Sequence, residues 1–278
     1  MDIRFLSTFL EVSKTRHFGK AAENLYLTPA AVSARIKHLE ESFNTLLFTR
    51  VRNGIQLTPA GESLVPYALS IENTLKQARL ALAQEDVAFI ACGLSANSSE
   101  VIHGELRDAL TTRLPNASVK LEILSGEQLS RQLHERTIEV AFTHEPLKSS
   151  DIENILLRTE PLKLFSDTPH TQSVTPENYL HVEWCTEASL SFFSHYPQAK
   201  TAHFRTNSVS MALKQMRAKG GIVMLPERLA STLDIALLEE QSEMVSPPVL
   251  KTYMVCMKEG RHPLLDELIH QLGLAFNE

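Results

Sequence analysis

The basic and hydroxyl-bearing side chains between residues 28 and 56 have types and spacings that suit DNA. Arginine and lysine bind phosphates, while alanine and serine let a helix approach base edges in the major groove. This chemistry gives one set of candidate DNA contacts: Thr28, Pro29, Ala30, Ser33, Ala34, Arg35, Lys37, His38, Arg50, Arg52, Asn53 and Gln56.

A helix beginning at Thr28-Pro29 must position the first eight of these residues. Threonine can cap a helix N-terminus, and proline is favoured at the first helical position. Val32, Ile36 and Leu39 then repeat at i, i+4 and i+7, which predicts one buried stripe. The candidate contacts fall on the opposite face or its flank. An ordinary helical core with a solvated outer face remains the alternative at this point.

A hairpin follows the helix. The segments Phe48–Arg52 and Ile55–Thr58 are separated by Asn53-Gly54, which is a strong signal for a type I′ turn. Residues 2–15 show a helical repeat of their own. A further helical pattern lies before the turn at Leu25-Tyr26-Leu27-Thr28. Three helices followed by an arginine-bearing hairpin predict a winged helix-turn-helix, all-α with a β-wing, over residues 1–58. Arginine suits a phosphate or a narrow minor groove.

The N-terminal segment also resembles a known family. The matching motifs are Phe18-Gly19-Lys20-Ala21-Ala22-Glu23, Leu27-Thr28, Val32-Ser33, Leu39-Glu40-Glu41, Leu47-Phe48, Arg50 and Leu57-Thr58-Pro59-Ala60-Gly61-Glu62. Together they resemble the LysR-type transcriptional regulators. The stretches Arg16-His17-Phe18-Gly19 and Leu25-Tyr26-Leu27-Thr28 are similar to the HdfR-like branch.

Two residues depart from the pattern of that family. Pro29 stands where a polar side chain, often glutamine, is usual, and Ala34 stands where arginine is common. Base readout is therefore expected to be weaker, or shifted to Ala30, Ser33 and Lys37.

Charge is distributed unevenly along the 278 residues, whose formal net charge is −6. Residues 1–58 hold eight Lys/Arg and five Asp/Glu, a net of +3, so the basic excess lies in the segment expected to bind DNA. No signal peptide or membrane-spanning run is found, so a cytoplasmic protein without membrane contact is expected.

Residues 59–84 read as a long linker helix. Its apolar positions alternate in steps of four and three, which predicts a seam for dimerisation: Leu64, Ala68, Ile71, Leu75, Ala78 and Leu82. Packing of this helix on its own domain is the alternative. The resemblance implies a dimer of dimers, that is, a homotetramer.

Residues 87–278 alternate between strand and helix patterns, which predicts an α/β domain of two subdomains with a periplasmic-binding-protein-like layout. Subdomain I is expected at about 87–162 and 250–278, and subdomain II at about 163–249. The pattern predicts a helix at Glu100–Arg113, extended chain at Ile155–Phe165 broken by Pro161, a strand at Thr201–Arg205 and a final helix at Pro263–Phe276. The resemblance makes this the effector-sensing domain.

A small molecule is expected at the carboxyl ends of these strands, near helix N-termini. The predicted effector contacts are Ser95, Ala96, Asn97, Ser98, Ser99, Ser125, Gly126, Thr143, His144, Asn207, Ser208 and Met224. Their hydroxyls, amides and free helix amides suit a small anion such as a carboxylate. No basic residue stands at these positions, so a strongly charged effector is not required. Serine and asparagine that only cap helices are the alternative.

Other functions have weaker support. The sequence lacks a GxSxG elbow, a Walker loop and an HExxH helix, so an enzyme is not expected. Cys92, Cys185 and Cys256 form no CxxC pair, and no disulfide, metal or cofactor is expected. A ligand-responsive, sequence-specific regulator binding dyad-symmetric DNA is predicted. An effectorless or redox-responsive regulator, or a low-specificity DNA-packaging protein, remains the alternative.

Overall fold

A computed structural model describes residues 2–51, 54–83, 88–113, 117–167, 173–233, 235–238, 247–259, 265–266 and 268–269. The chain divides into two compact units, Met1–Val87 with His134–Thr137, and Ala88–Leu133 with Ile138–Glu278. Within the described ranges, no helix is both long and apolar enough to cross a membrane.

The first unit begins with three helices, α1 (Ile3–Thr15), α2 (Phe18–Asn24) and α3 (Pro29–Phe43). Their shared core includes Phe9, Val12, Val32 and Leu39, all fully buried. The predicted capping occurs, because the Thr28 hydroxyl accepts a hydrogen bond from the Ala31 amide at 3.2 Å. We call this winged-helix region, residues 2–58, the head.

The wing consists of β1 (Phe48–Val51) and β2 (Gly54–Leu57), paired antiparallel. Gly54 pairs with Val51 and therefore belongs to the second strand, where its φ is +139°. The prediction that Asn53-Gly54 forms the centre of the turn is wrong for Gly54. Arg52 and Asn53 lie outside the described residues. The side-chain oxygen Oε1 of Glu40 accepts from the amides of Leu47 and Phe48 at 2.8 and 3.2 Å, which fixes the wing to α3.

The linker helix α4 spans Pro59–Ala83. Part of its predicted seam is covered by the head: Ala68 is fully buried in the core of the head, and Leu64 packs against that core. Ala68 has no surface left for a partner chain, so the dimerisation role predicted for it is wrong. Leu64 has only part of its side chain left for such a contact. Ile71 is 40% exposed and Ala78 is exposed, whereas Leu75 is half-buried. The side chain of Leu82 lies outside the description.

The second unit contains one continuous sheet, whose order is β4-β3-β5-β11-β6-β9-β7-β8, with β10 added against β6. The strands are β3 (Ala88–Leu94), β4 (Ala117–Ile123), β5 (Val140–Thr143), β6 (Ile152–Ser166), β7 (Tyr179–Val182), β8 (Phe204–Thr206), β9 (Ile222–Pro226), β10 (Ala236–Leu237) and β11 (Val249–Met257). The pairs β3–β4, β3–β5, β7–β8 and β7–β9 are parallel.

Strand β6 runs through Pro161 without the predicted break. Its first part pairs with β11 as far as Pro161, and its second part pairs with β9 from Leu162 onward. Proline has no amide hydrogen, and it stands at the residue where the strand changes partner, so little pairing is lost. We call the part of the sheet around the β6 half paired with β11, together with its helices, subdomain I. The part around the half paired with β9, together with its helices, is subdomain II.

Helices cover the sheet: α5 (Ala96–Val101), α6 (His103–Arg113), α7 (Gly126–His134), α8 (Thr186–His195), α9 (Val209–Lys219) and α10 (Glu227–Ala230), with a 3₁₀ turn at Pro197–Thr201. The helix predicted from Glu100 is wrong in its start, since helix begins at Ala96 and is interrupted at Ile102. The strand predicted at Thr201–Arg205 begins only at Phe204. Of the predicted last helix, residues 265–266 and 268–269 are described, and they are helical.

Candidate functional site

The outward face of α3 carries the side chains that the sequence assigned to it. Thr28, Pro29, Ala30, Ser33, Ala34, Lys37 and His38 are all exposed, whereas the inward residues Val32, Ile36 and Leu39 are at most 3% exposed. The exposed face is small and weakly charged, as close approach to base edges requires.

Arg35 differs from its neighbours on α3. It is half-buried, and its Nη1 donates a hydrogen bond to the hydroxyl of Thr8 at 3.2 Å. Thr8 is itself fully buried and donates to the carbonyl of Arg4. One edge of the Arg35 guanidinium thus helps to hold α3 against α1, which limits how it can turn toward a phosphate.

The two other basic groups on this face have an acidic neighbour. Glu41 lies 3.7 Å from Lys37 Nζ and 3.3 Å from His38 Nδ1. Lys37 nevertheless has 77% of its side chain exposed, and such surface pairs contribute little free energy. Lys37 therefore remains available to a phosphate.

In the wing, Gln56 is exposed and lies opposite Thr49 in the register. Arg50 pairs with Ile55 through the backbone, and its side chain is outside the description, as are Arg52 and Asn53.

A cavity of about 730 Å³ opens in the second unit, between the ends of strands from subdomains I and II. Eight predicted effector contacts line it: Ser95, Ala96, Asn97, Ser125, Gly126, Thr143, His144 and Asn207. We call this cavity the cleft.

Four other predicted contacts do not line the cleft. Ser98 is fully buried and its hydroxyl donates to the Phe142 carbonyl at 2.8 Å, while Ser99 lies on the following helical position of α5. Met224 is 1% exposed, and its carbonyl accepts from Trp184 Nε1 at 2.8 Å. Ser208 caps α9 by accepting from the Met211 amide. These four side chains are not part of the cleft lining.

The sequence reasoning missed much of the wall from subdomain II. His181, Glu183, Trp184, Cys185, Thr186, Ser189, Leu190, Phe193 and Arg205 line the cleft, as does Glu145 from the loop after β5. Applying the strand-end rule to β7, which is parallel and followed by α8, would have found Glu183 to Thr186. Arg205 lies within β8 and faces the cleft because it pairs with His181 in the sheet. Amino-acid composition does not reveal this pairing.

Asn97 connects the two walls of the cleft. It is 4% exposed, its Oδ1 accepts from the Val209 amide at 2.8 Å, and its Nδ2 donates to the Glu183 carbonyl at 3.1 Å. Both ends of the amide are therefore occupied by subdomain II. The Asn97 side chain therefore links the two subdomains through hydrogen bonds.

The helix N-termini at the cleft are occupied by the chain's own side chains. Ser95 accepts from the Ser98 amide at the start of α5, and Ser125 accepts from the Gln128 amide at the start of α7. At α8, the carboxylate of Glu145 accepts from the Thr186 amide. At each of these helix starts, at least one of the amides that the sequence suggested for an anion therefore has a side-chain partner within the chain.

Two histidines of the cleft are deeply buried. His144 and His181 are 3% and 1% exposed, and burial lowers the pKa of each to about 4, with the nearby Arg205 contributing for His181. Both imidazoles are therefore neutral near pH 7.

Comparison with known proteins identifies the families that the two parts of the chain match. Residues 3–62 match the bacterial regulatory helix-turn-helix protein, lysR family, and residues 93–276 match the LysR substrate binding domain. The chain belongs to the LysR family of bacterial transcriptional regulators. The second match alone covers more than half of the chain and includes every residue of the cleft.

Individual members of the LysR family agree with this assignment. The transcriptional regulator HdfR of Salmonella dublin is 34% identical over 273 residues, covering 97% of each chain. ArgP from Mycobacterium tuberculosis is similar in structure with a TM-score of 0.68 and 20% identity, over 99% of this chain and 97% of that one. Full-length CbnR in complex with its target DNA has a TM-score of 0.55 and 19% identity, over 99% and 100%.

As a LysR-family protein, the chain is a DNA-binding transcriptional regulator and not an enzyme. Two of its thiols, those of Cys92 and Cys185, are poorly suited to redox sensing. Burial raises the pKa of Cys92 to about 12, and burial together with Glu145 and Glu187 raises the pKa of Cys185. Among the residues with described positions, no group of three His, Cys, Asp or Glu could hold a metal ion.

Proposed function

We propose that this LysR-family regulator binds a dyad-symmetric promoter site as an oligomer, and that a small molecule in the cleft controls its activity. The cleft carries the proposal, because its walls belong to two subdomains and its volume of about 730 Å³ suits a small ligand. A neighbouring structure, CbnR, is a complex with target DNA, which supports the choice of partner.

The exposed part of α4 supports self-association. Ile71, Leu75 and Ala78 continue the seam beyond the part that the head covers. A coiled-coil contact through them would present two heads, and two recognition helices about one helical turn apart match a dyad-symmetric site. The dimer-of-dimers arrangement implied by the family would add a second pair.

A ligand that prefers one arrangement of the subdomains would shift the population toward it. Asn97 and Glu145 connect the walls by hydrogen bonds and would have to adjust during such a shift. The change would then alter the spacing of the heads on DNA.

One experiment tests DNA recognition. The affinity of the full chain is measured at fixed salt for a dyad-symmetric promoter site and for random DNA. A ratio of about 10³ or more supports specific regulation. A ratio near unity would instead indicate DNA packaging.

The oligomer is tested by sedimentation of Ile71→Asp and Ile71→Ala. A charge in the seam should dissociate the dimer, whereas the alanine variant keeps the helix without adding a charge and should remain associated. An unchanged mass for Ile71→Asp would contradict the proposed interface.

A further inference from the structure

The chemical class of the ligand follows from the charges in the cleft. The described residues that line it include two acids, Glu145 and Glu183, and one cation, Arg205. Arg205 Nη2 lies 3.7 Å from Glu183 Oε1, and Arg205 Nη1 donates to the Lys200 carbonyl at 3.0 Å. The histidines are neutral, so the lining carries a formal charge of −1. An anion would meet net repulsion there.

The usual anion site in such a cleft is also filled. A helix N-terminus attracts carboxylates and phosphates because of its free amides and dipole. At α8 this position is taken by the Glu145 carboxylate, which accepts from the Thr186 amide across the cleft. Cys185 Sγ accepts from a second amide of this helix start, that of Ala188, at 3.4 Å.

The cleft also holds a polar atom without a partner. His181 is 1% exposed, and within the described part of the chain its Nδ1 has no hydrogen-bond partner. An unsatisfied buried nitrogen of this kind is costly and marks a position where a ligand group can bind. Because His181 pairs with Arg205 in the sheet, it belongs to the same wall as Glu183.

We propose that the ligand of the cleft carries an ammonium group, bound by the carboxylates of Glu145 and Glu183 with His181 as a further acceptor. This inference rests on the proposed effector function. Both acids line the same cavity, and Glu145 bonds to the amide of Thr186, three residues after Glu183. An ammonium group has three donors and no acceptor, which matches two carboxylates and an imidazole nitrogen.

The same arrangement gives a role to Arg205. An ammonium bound to Glu183 would compete with the ion pair and free part of the guanidinium. In an amino acid, the carboxylate could then meet Arg205, so zwitterions and diamines both belong to the expected class. Carboxylates without an amine do not.

The test uses the full chain and the fluorescence of Trp184, which lines the cleft and is the single tryptophan of the sequence. The proteinogenic amino acids and aliphatic diamines form one panel of probes. Acetate, succinate and benzoate form the other. Isothermal titration calorimetry confirms each fluorescence change. We expect at least one compound of the first panel to bind and none of the second.

Two variants then locate the ammonium group. Glu183→Gln and Glu145→Gln should each weaken binding of that compound by about tenfold or more, as loss of a charge-assisted hydrogen bond does. The control Glu177→Gln removes the same charge from an exposed residue that does not line the cleft, and its affinity should be unchanged.

Preferential binding of a plain carboxylate, or binding by neither panel, would overturn the ammonium proposal. Equal affinities for Glu183→Gln, Glu145→Gln and Glu177→Gln would overturn it as well. Specific DNA binding by the same preparation would show that the proposed regulator function survives such a result. Loss of specific DNA binding would count against that function separately.

Discussion

The outward face of α3 comes from a single helix, whereas the cleft is built from the ends of β3, β4, β5 and β7 and from β8. In α3, three inward residues fix the helix, and every other position follows from a rotation of 100° per residue. In the cleft, neighbours such as Asn97 and Val209 are far apart in sequence and meet only through the sheet order.

The two regions should therefore differ in how much their side chains contribute to stability. Side chains on the face of α3 can be removed with little loss of stability, because they are exposed and make few contacts. Asn97 in the cleft is buried and hydrogen-bonded across the subdomains, so its removal should cost stability together with function. The following substitutions test that contrast, beginning with the connection on which the head depends.

Gly61→Ala should give the largest effect, because it disturbs a contact between two segments of the chain that are distant in sequence. A Cβ at Gly61 would lie 2.2 Å from the Leu47 carbonyl oxygen, which is backbone and cannot rotate away. We expect a loss of about 3 kcal/mol in the free energy of unfolding, with loss of DNA binding. Chemical denaturation followed by circular dichroism measures it.

Gly104→Ala is the control for that substitution. A Cβ at Gly104 meets nothing within 4 Å, and alanine is the better helix former in α6. Stability should stay equal or rise by about 0.5 kcal/mol. A Gly61→Ala protein as stable as this control would show that the wing and α4 can separate without cost.

Asn97→Ala should destabilise the second unit by about 2–3 kcal/mol, because the Val209 amide and the Glu183 carbonyl lose their partner. Trp184 fluorescence during urea denaturation reports this unit. Ser99→Ala serves as control, because it removes a hydroxyl whose hydrogen bond within the described part of the chain runs to the Ala96 carbonyl of its own helix turn. Equal midpoints for the two variants would show that the bonds of Asn97 between the subdomains contribute no more to stability than a hydroxyl bonded within one helix turn.

The sequence predicted the two regions to different extents for the same reason. The face of α3 was predicted from Val32, Ile36 and Leu39, because periodicity within one helix is local information. Helix α8 escaped prediction because only Ala188 and Phe192 are buried on it and its cap is a cysteine. The positions of Arg205 and the Arg35–Thr8 contact depend on strand register and helix packing, which no local pattern encodes.

The buried histidines should make the second unit sensitive to acid. Their pKa values of about 4 lie below the usual 6.5, so the unfolded chain binds more protons between these values. Stability is therefore complete above about pH 6.5 and falls as pH drops toward 4, by about 2 kcal/mol per histidine between about pH 7 and about pH 5. Urea midpoints across this range measure it. His144→Gln should reduce the slope, whereas the exposed His103→Gln should retain it.

Lys37→Ala should have the smallest effect on stability and a clear effect on DNA binding. The side chain is exposed and makes one weak ion pair with Glu41, so the unfolding free energy should change by less than about 0.5 kcal/mol. If Lys37 contacts one phosphate, affinity should fall about three- to tenfold for specific and random DNA alike, and the slope of log K against log salt should decrease by about one. Lys214→Ala removes the same charge from an exposed position in α9 and should leave both quantities unchanged. A specific loss confined to the promoter site would instead assign Lys37 to base recognition, and the outer face of α3 would then carry more sequence information than its alanines suggest.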